Sequence, residues 1–259
     1  MKIAISGKGG VGKTFIAGSL ASYFARHGHS VLAIDTDPSP NLAMTLGLTP
    51  EETSRIVPIA ENEQLIKLKT STEFSGVFRL TFSVDDIIEK YSVRTPAGPA
   101  LMVMGTVRAM GAGCTCPANS LVKALLRHLV VERNEVVILD MEAGIEHLGR
   151  GTAEHVDVLL VIADANRKSL EIAGTICRLA RNSAIKKVCI IGNRIADARQ
   201  EAAVWTFAEK NGIEVLALIP FDKLVADAGM TGEPIGYDNS AALQAIGNLA
   251  KTMVSMNHG

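Results

Sequence analysis

The sequence predicts an α/β fold of three layers, a mostly parallel central sheet flanked by helices. Three observations carry that prediction. Short, wholly apolar runs recur along the chain without the alternation of a half-exposed strand. Helix-period segments lie between most of them. The chain has 259 residues and is 47% hydrophobic, so a single core can bury roughly three quarters of the unfolded surface.

The runs follow one another as KIAIS (2–6), SVLAID (30–35), ALMVMG (100–105), EVVILD (135–140), DVLLVIAD (157–164), KKVCIIG (186–192) and EVLALIP (214–220). Each is rich in leucine and β-branched residues, as strands covered on both faces are. Residues 13–27, 119–132, 169–181 and 198–211 repeat their apolar positions at helical spacing. Strand–helix–strand repetition implies right-handed crossovers and parallel pairing. The closing segment, SAALQAIGNLAKTMVSMNHG, reads as a helix packed on the core. As a membrane anchor it is too weakly basic, with one Lys and no Arg. The least regular part, about 50–99, is charged and proline-containing; it reads as an insertion, a small subdomain or a mobile surface segment, within one domain spanning 1–259.

Composition excludes several classes. A formal net charge of -1 and the absence of a Lys/Arg run leave no nucleic-acid footprint. The opening MKIAISGKGG has too short an apolar run for a signal peptide. No window approaches the roughly 18 apolar residues of a membrane span. A cytoplasmic, reduced protein is expected, so its four cysteines are metal or redox groups, or core residues, before they are disulfides. Cys177 and Cys189 lie in apolar stretches and read as core.

The chemistry begins at GKGGVGKT, residues 7–14, which follows the first strand and opens a helix. It satisfies G-x4-G-K-[ST], the phosphate-binding loop of P-loop NTPases. Glycines let backbone N–H groups turn toward phosphate oxygens, and the helix N-terminus adds its positive end. The stretch expected to contact nucleotide is Gly7, Lys8, Gly9, Gly10, Val11, Gly12, Lys13, Thr14 and Phe15. Lys13 reaches the β and γ phosphates of ATP, and Thr14 ligates Mg²⁺. A second lysine, Lys8, sits early in the loop, where an ordinary P-loop needs only Lys13; it can reach phosphates held by a partner subunit. Two carboxylate clusters fall at strand ends, where open α/β sheets place their ligands. IDTDPSPN supplies Asp35, Asp37 and Asn41, and VVILDMEAG supplies Asp140. Asp140 would hold Mg²⁺ through water, Asp37 would orient or deprotonate the attacking water, and Asp35 would support the magnesium shell; the plain alternative for each is a helix N-cap.

These motifs, together with IIGNR and IPFD near the end, resemble the deviant Walker A ATPases. That class includes the septum-positioning ATPase MinD, the nitrogenase iron protein and metal-centre assembly ATPases. The resemblance implies that Asn193, with Arg194 beside it, reads the adenine edge, and that Pro220, Phe221 and Asp222 lie beside the base. It implies a homodimer sandwiching two nucleotides, with Lys8 crossing the interface and switch regions near 37–41 and 140–144.

Within that class the cysteines discriminate. Cys114 and Cys116 stand one residue apart in a Gly-flanked loop, MGAGCTCPANS. Neither the widely spaced cysteines of the iron protein nor the C-x-x-C of iron–sulfur scaffolds matches. C-x-C just before a helix is similar to the CooC-type nickel-insertion ATPases that serve carbon monoxide dehydrogenase; a relative serving acetyl-CoA synthase is equally compatible. The resemblance implies that each chain brings two thiolates to the dimer axis. Four sulfurs suit Ni²⁺, Zn²⁺ or a cluster. His128 and His147 are weaker candidate ligands, and His155 weaker still. Three other roles stay open on these residues: an iron–sulfur carrier or electron-transfer partner using the same cysteines, a MinD-like positioning ATPase, and a P-loop kinase, which the lack of an Arg-rich lid disfavours.

Overall fold

The computed structural model describes residues 1–37, 41–73, 78–79, 82–105, 117–131, 135–141, 156–231 and 239–256. The first half runs β1 (Lys2–Gly7), α1 (Lys13–Arg26), β2 (Val31–Asp35), α2 (Leu42–Thr45), α3 (Pro50–Ser54), α4 (Glu63–Thr70), α5 (Asp85–Tyr91), β3 (Val93–Arg94) and β4 (Ala100–Val103). The second half runs α6 (Pro117–Val131), β5 (Val136–Asp140), β6 (Val158–Ala163), α7 (Arg167–Ala180), β7 (Lys187–Ile195), α8 (Ala198–Lys210), β8 (Glu214–Pro220), α9 (Lys223–Thr231) and α10 (Ala241–Met256).

All seven apolar runs are strands of one sheet, ordered β3-β4-β2-β5-β1-β6-β7-β8. Every pairing is parallel except that of β3 with β4. The runs do not alternate because both faces are covered. Ala4, Leu32, Val137, Leu139, Leu159 and Val161 pack with residues of α6, α7 and α8 in one buried cluster. Ile3, Ile5, Ala33, Ile138, Leu160 and Ile162 pack with α1 and α10 in the other. The period-2 direction of strand side chains deals successive residues to opposite clusters. Each fully buried Ile or Leu contributes roughly 1.5–3 kcal/mol of transfer free energy, so the sheet's inner residues dominate its stability. The closing helix is α10, and its buried stripe Leu243, Ile246, Leu249, Ala250 and Met253 belongs to the second cluster.

The irregular stretch 50–99 holds the three short helices α3, α4 and α5, and its apolar residues enter the main core. Ile59, Leu65, Val84, Ile87 and Ile88 are buried in the cluster under α6. A capping box between Thr49 and Glu52 starts α3. Ala60 N–H donates to the Met104 carbonyl at 2.9 Å, tying the stretch to the end of β4. No described helix is long and apolar enough to cross a membrane.

Candidate active site

The site forms where β1, β2 and β5 end side by side. Register places Asp35 opposite Asp140 and Ile5 opposite Asp140, so the phosphate loop leaving β1 sits next to both carboxylates. Gly7 has φ 147°, and a Cβ there would run into the Ile162 carbonyl. Gly12, at φ 94°, is the N-cap of α1 and has no side-chain cap. Helices α7 and α8 instead spend the side chains of Asn166 and Asp197 on their first turns. Gly12 thus offers no side chain to the first-turn N–H groups of α1, and no acidic residue sits in that turn to compete with an anion. Lys13 is buried and donates to the Lys8 carbonyl at 3.4 Å. Lys8 itself is half-buried, while Gly9 and Gly10 are exposed.

Asp140 is 2% exposed and its Oδ1 has no hydrogen-bond partner. Burial pushes its carboxyl up to about 7, helped by the Asp35 and Asp37 carboxylates and opposed by the Thr14 hydroxyl and Lys13. A buried, unsatisfied carboxylate oxygen beside a threonine hydroxyl below a phosphate loop fits Mg²⁺, a hard cation that takes oxygen ligands. Thr36 holds the backbone beneath it: its N–H and its Oγ1 each donate to the Asp140 carbonyl at 3.0 Å. Nothing in the sequence singled out Thr36.

Asp35 is fully buried, and both of its oxygens accept from the following loop, Oδ1 from Asp37 N–H at 2.9 Å and Oδ2 from Leu42 N–H at 3.0 Å. Burial raises its carboxyl to about 6 even against those amides. Its visible work is to tie the Asp37 and Leu42 amides, at either side of the region expected to switch, to the end of β2. Asp37 is half-buried close enough to Asp140 to raise its pKa. Asn41 is exposed and occupies the N-cap position of α2 without a side-chain cap.

A pH dependence follows. Both carboxyls bind protons more tightly folded than at the ordinary 3.8. The folded state therefore carries more protons than the unfolded one between pH about 4 and about 7, and stability falls as pH rises through that window. The effect is on the order of a few kcal/mol. Nucleotide-free, magnesium-free protein should melt higher at pH 5.5 than at pH 7, and Asp140→Asn should shrink the difference. A melting temperature that rises with pH across that interval would contradict the assigned shifts.

The late motifs occupy the C-terminal ends of β7 and β8. Asn193 is 3% exposed, and its Nδ2 donates to the Val11 carbonyl at 2.7 Å. Arg194 donates from Nη1 to the Gly10 carbonyl at 3.0 Å. Phe221 is 54% exposed, and its N–H donates to the Ile195 carbonyl. Pro220 pairs with Ile195 in the sheet. Asp222 caps two helices: Oδ1 accepts from Leu224 N–H at 2.9 Å, and Oδ2 accepts from the buried Ser240 hydroxyl at 2.6 Å and from Ala242 N–H at 3.2 Å. The Ser240 hydroxyl, foremost, holds the Asp222 carboxyl below the usual range. Ser240 carried no recognisable signal in sequence.

Cys114, Cys116, His147 and His155 lie outside the described residues. Pro117, directly after Cys116, begins α6, and His128 is half-buried in the last turn of that helix. Among the described residues no group of three or more His, Cys, Asp or Glu side chains could hold a metal. Cys177 and Cys189 are buried, and burial pushes both thiols up to about 12, which leaves them unreactive core residues as expected.

A parallel sheet with a G-x4-G-K-T loop between β1 and α1, and carboxylates at the ends of β2 and β5, defines a P-loop ATPase. Its model spanning residues 2–235, the CobQ/CobB/MinD/ParA nucleotide binding domain is the family to which the chain belongs. The carbon monoxide dehydrogenase accessory protein CooC of Rhodospirillum rubrum is 42% identical over 253 residues, covering 95% of each chain. An uncharacterized ATP-binding protein of Methanocaldococcus jannaschii is 41% identical over 245 residues, covering 93% of each. Among solved structures, the MinC:MinD cell division complex of Aquifex aeolicus superposes with a TM-score of 0.71 at 23% identity, over 98% of this chain and 95% of the other. Cobyrinic acid a,c-diamide synthase of Mycobacterium smegmatis with bound ADP and magnesium reaches 0.68 at 18% identity, over 98% and 93%. At these identities the structural likeness speaks to the fold alone.

Proposed function

We propose that this ATPase is a cytoplasmic metallochaperone that works as a homodimer and delivers nickel to the active-site cluster of carbon monoxide dehydrogenase, or of acetyl-CoA synthase. The observation that carries the reading is the presence in one chain of a two-lysine phosphate loop and a C-x-C pair directly before α6. The extended similarity to a carbon monoxide dehydrogenase accessory protein supports the choice of client.

The site's own residues account for the ATP half. The glycine loop and the α1 N-terminus bind the phosphates, and Lys13 neutralises charge developing on the γ-phosphoryl group. Thr14 and Asp140 would hold Mg²⁺, which supplies charge neutralisation at the phosphates when bound. Asp37 orients the attacking water, and Asp35 sets the loop that carries it. Lys8 reaches the partner's nucleotide and makes dimer closure depend on ATP.

The metal half is coupled through α6. Leu121, Leu125 and Leu129 of that helix share a buried cluster with Leu139 and Met141, which flank Asp140. A helix that shares a core with the strand bearing the site, and starts one residue after Cys116, would tie the thiolates mechanically to the switch. Closure then assembles four thiolates from two chains around Ni²⁺, and hydrolysis separates them. By reciprocity the metal favours the closed dimer as much as closure favours the metal.

Anaerobic native mass spectrometry with Ni²⁺, with and without a non-hydrolysable ATP analogue, tests this. One Ni²⁺ per dimer is expected for the wild type and none for the Cys114→Ser, Cys116→Ser protein. A nucleotide-dependent dimer whose metal content ignores the cysteines would remove the nickel reading. A [4Fe–4S] absorption at the same cysteines after anaerobic reconstitution, without Ni²⁺ binding, would replace it with cluster transfer.

A further inference from the structure

At its C-terminal end β7 contains a bulge. Gly192 pairs with Leu218 and Ile195 with Pro220, so three steps on β7 oppose two on β8. Within it Arg194 adopts φ 57°, the one non-glycine residue with positive φ among those described. Arginine rarely takes that conformation, and such outliers persist only where the surroundings enforce them. The bulge sends two consecutive side chains to the phosphate loop. Asn193 donates to the Val11 carbonyl at 2.7 Å and Arg194 to the Gly10 carbonyl at 3.0 Å.

Those carbonyls matter because a trans peptide unit is planar and its C=O and N–H point opposite ways. Holding the Gly10 carbonyl fixes the direction of the Val11 N–H, and holding the Val11 carbonyl fixes that of the Gly12 N–H. Both are loop amides of the kind that cradle phosphate. Gly12 makes the arrangement possible, since a Cβ there would strike Asn193 Nδ2. We propose that Asn193 and Arg194 brace the phosphate loop, presetting its amides for the polyphosphate of the nucleotide. Both are positioning residues that act through the loop, and the proposal rests only on the chain's being an ATPase.

The probe that isolates the brace is inorganic tripolyphosphate with Mg²⁺, which has no base to read. Its affinity and that of ATP are compared, by calorimetry, for wild type, Arg194→Ala, Arg194→Lys, Arg194→Gly and Asn193→Ala. One hydrogen bond's loss corresponds to a factor of about two to ten. Arg194→Ala should weaken both ligands by the same factor in that range, and raise KM for ATP more than it lowers kcat. Arg194→Lys should recover most of the loss. Arg194→Gly removes the backbone strain, so it should melt no lower than wild type and still bind tripolyphosphate weakly. That combination separates the brace from a general effect on folding. Asn193→Ala should likewise weaken both ligands, by the larger factor, because its bond is the buried one. If either substitution weakened ATP but left tripolyphosphate at the wild-type value, the side chain would serve the base and the brace would be wrong. Wild-type tripolyphosphate binding by Arg194→Gly would also overturn it.

Discussion

Lys13→Ala should lower ATP turnover at saturating Mg-ATP by about 10²–10³-fold or more, the scale of removing one preorganised group that meets charge developing in the transition state. Lys13 is 8% exposed and lies in the first turn of α1, so its ammonium works in a partly desolvated setting where Coulomb interactions are strong. It also opposes the upward push on the Asp140 carboxyl; its loss should therefore leave Asp140 still harder to ionise. Lys13 belongs to neither apolar cluster, so the melting temperature should change far less than the rate. Steady-state phosphate release measures the first effect and a thermal melt the second. Turnover within tenfold of wild type would mean that Lys13 is not the residue that meets the γ-phosphate.

Gly12→Ala should damage both stability and binding. At φ 94° an alanine carries a backbone penalty of roughly 1–2 kcal/mol. Its Cβ would also collide with the Asn193 amide, which must then leave the Val11 carbonyl. Asn193 is buried, so an unpaired amide there costs about 1–3 kcal/mol. A total near 3 kcal/mol corresponds to a fall in melting temperature of roughly 6–12 °C for a chain of this size. ATP affinity should fall with it. A melting temperature within about 2 °C of wild type would mean that the loop and Asn193 adjust at little cost. Gly10→Ala is the matched control, because its Cβ meets nothing within 4 Å.

Much of the fold was legible because each inner strand is covered on both sides. Val136–Asp140 and Val158–Ala163 need no partner to announce themselves; four to six consecutive apolar residues suffice. Strand β3 gave no such signal. It is two residues long, and its only definition is antiparallel pairing of Val93 with Leu101 and Arg94 with Ala100. The stretch 50–99 looked irregular for a related reason. Its helices have five to eight residues, too few to repeat an apolar stripe, and Ile59, Leu65 and Ile87 are inner residues because of what lies beneath them.

The phosphate loop could be read directly, since its demands are local: glycines where φ is positive or a carbonyl is close, and a lysine at the start of a helix. The roles of Asp35 and Asp222 were harder. Both have the side chain expected of a ligand, and both are engaged by backbone amides, Asp35 by Asp37 and Leu42, Asp222 by Leu224 and Ala242. An aspartate that shapes a loop and one that faces a ligand have the same letter.

By itself, then, the sequence determined the layered α/β architecture, the nucleotide chemistry at residues 7–14 and the paired thiols at 114 and 116, because apolar period, glycine placement and residue spacing are properties of neighbours along the chain. Tertiary structure alone decided that Asp140 is buried with an unsatisfied oxygen and a carboxyl raised to about 7, and that Asn193 and Arg194 grip the carbonyls of a loop more than 180 residues earlier. The reason is that desolvation, Coulomb repulsion and hydrogen bonding depend on distance in space. The order in which eight strands lie beside one another sets those distances, and no single segment of the chain encodes that order.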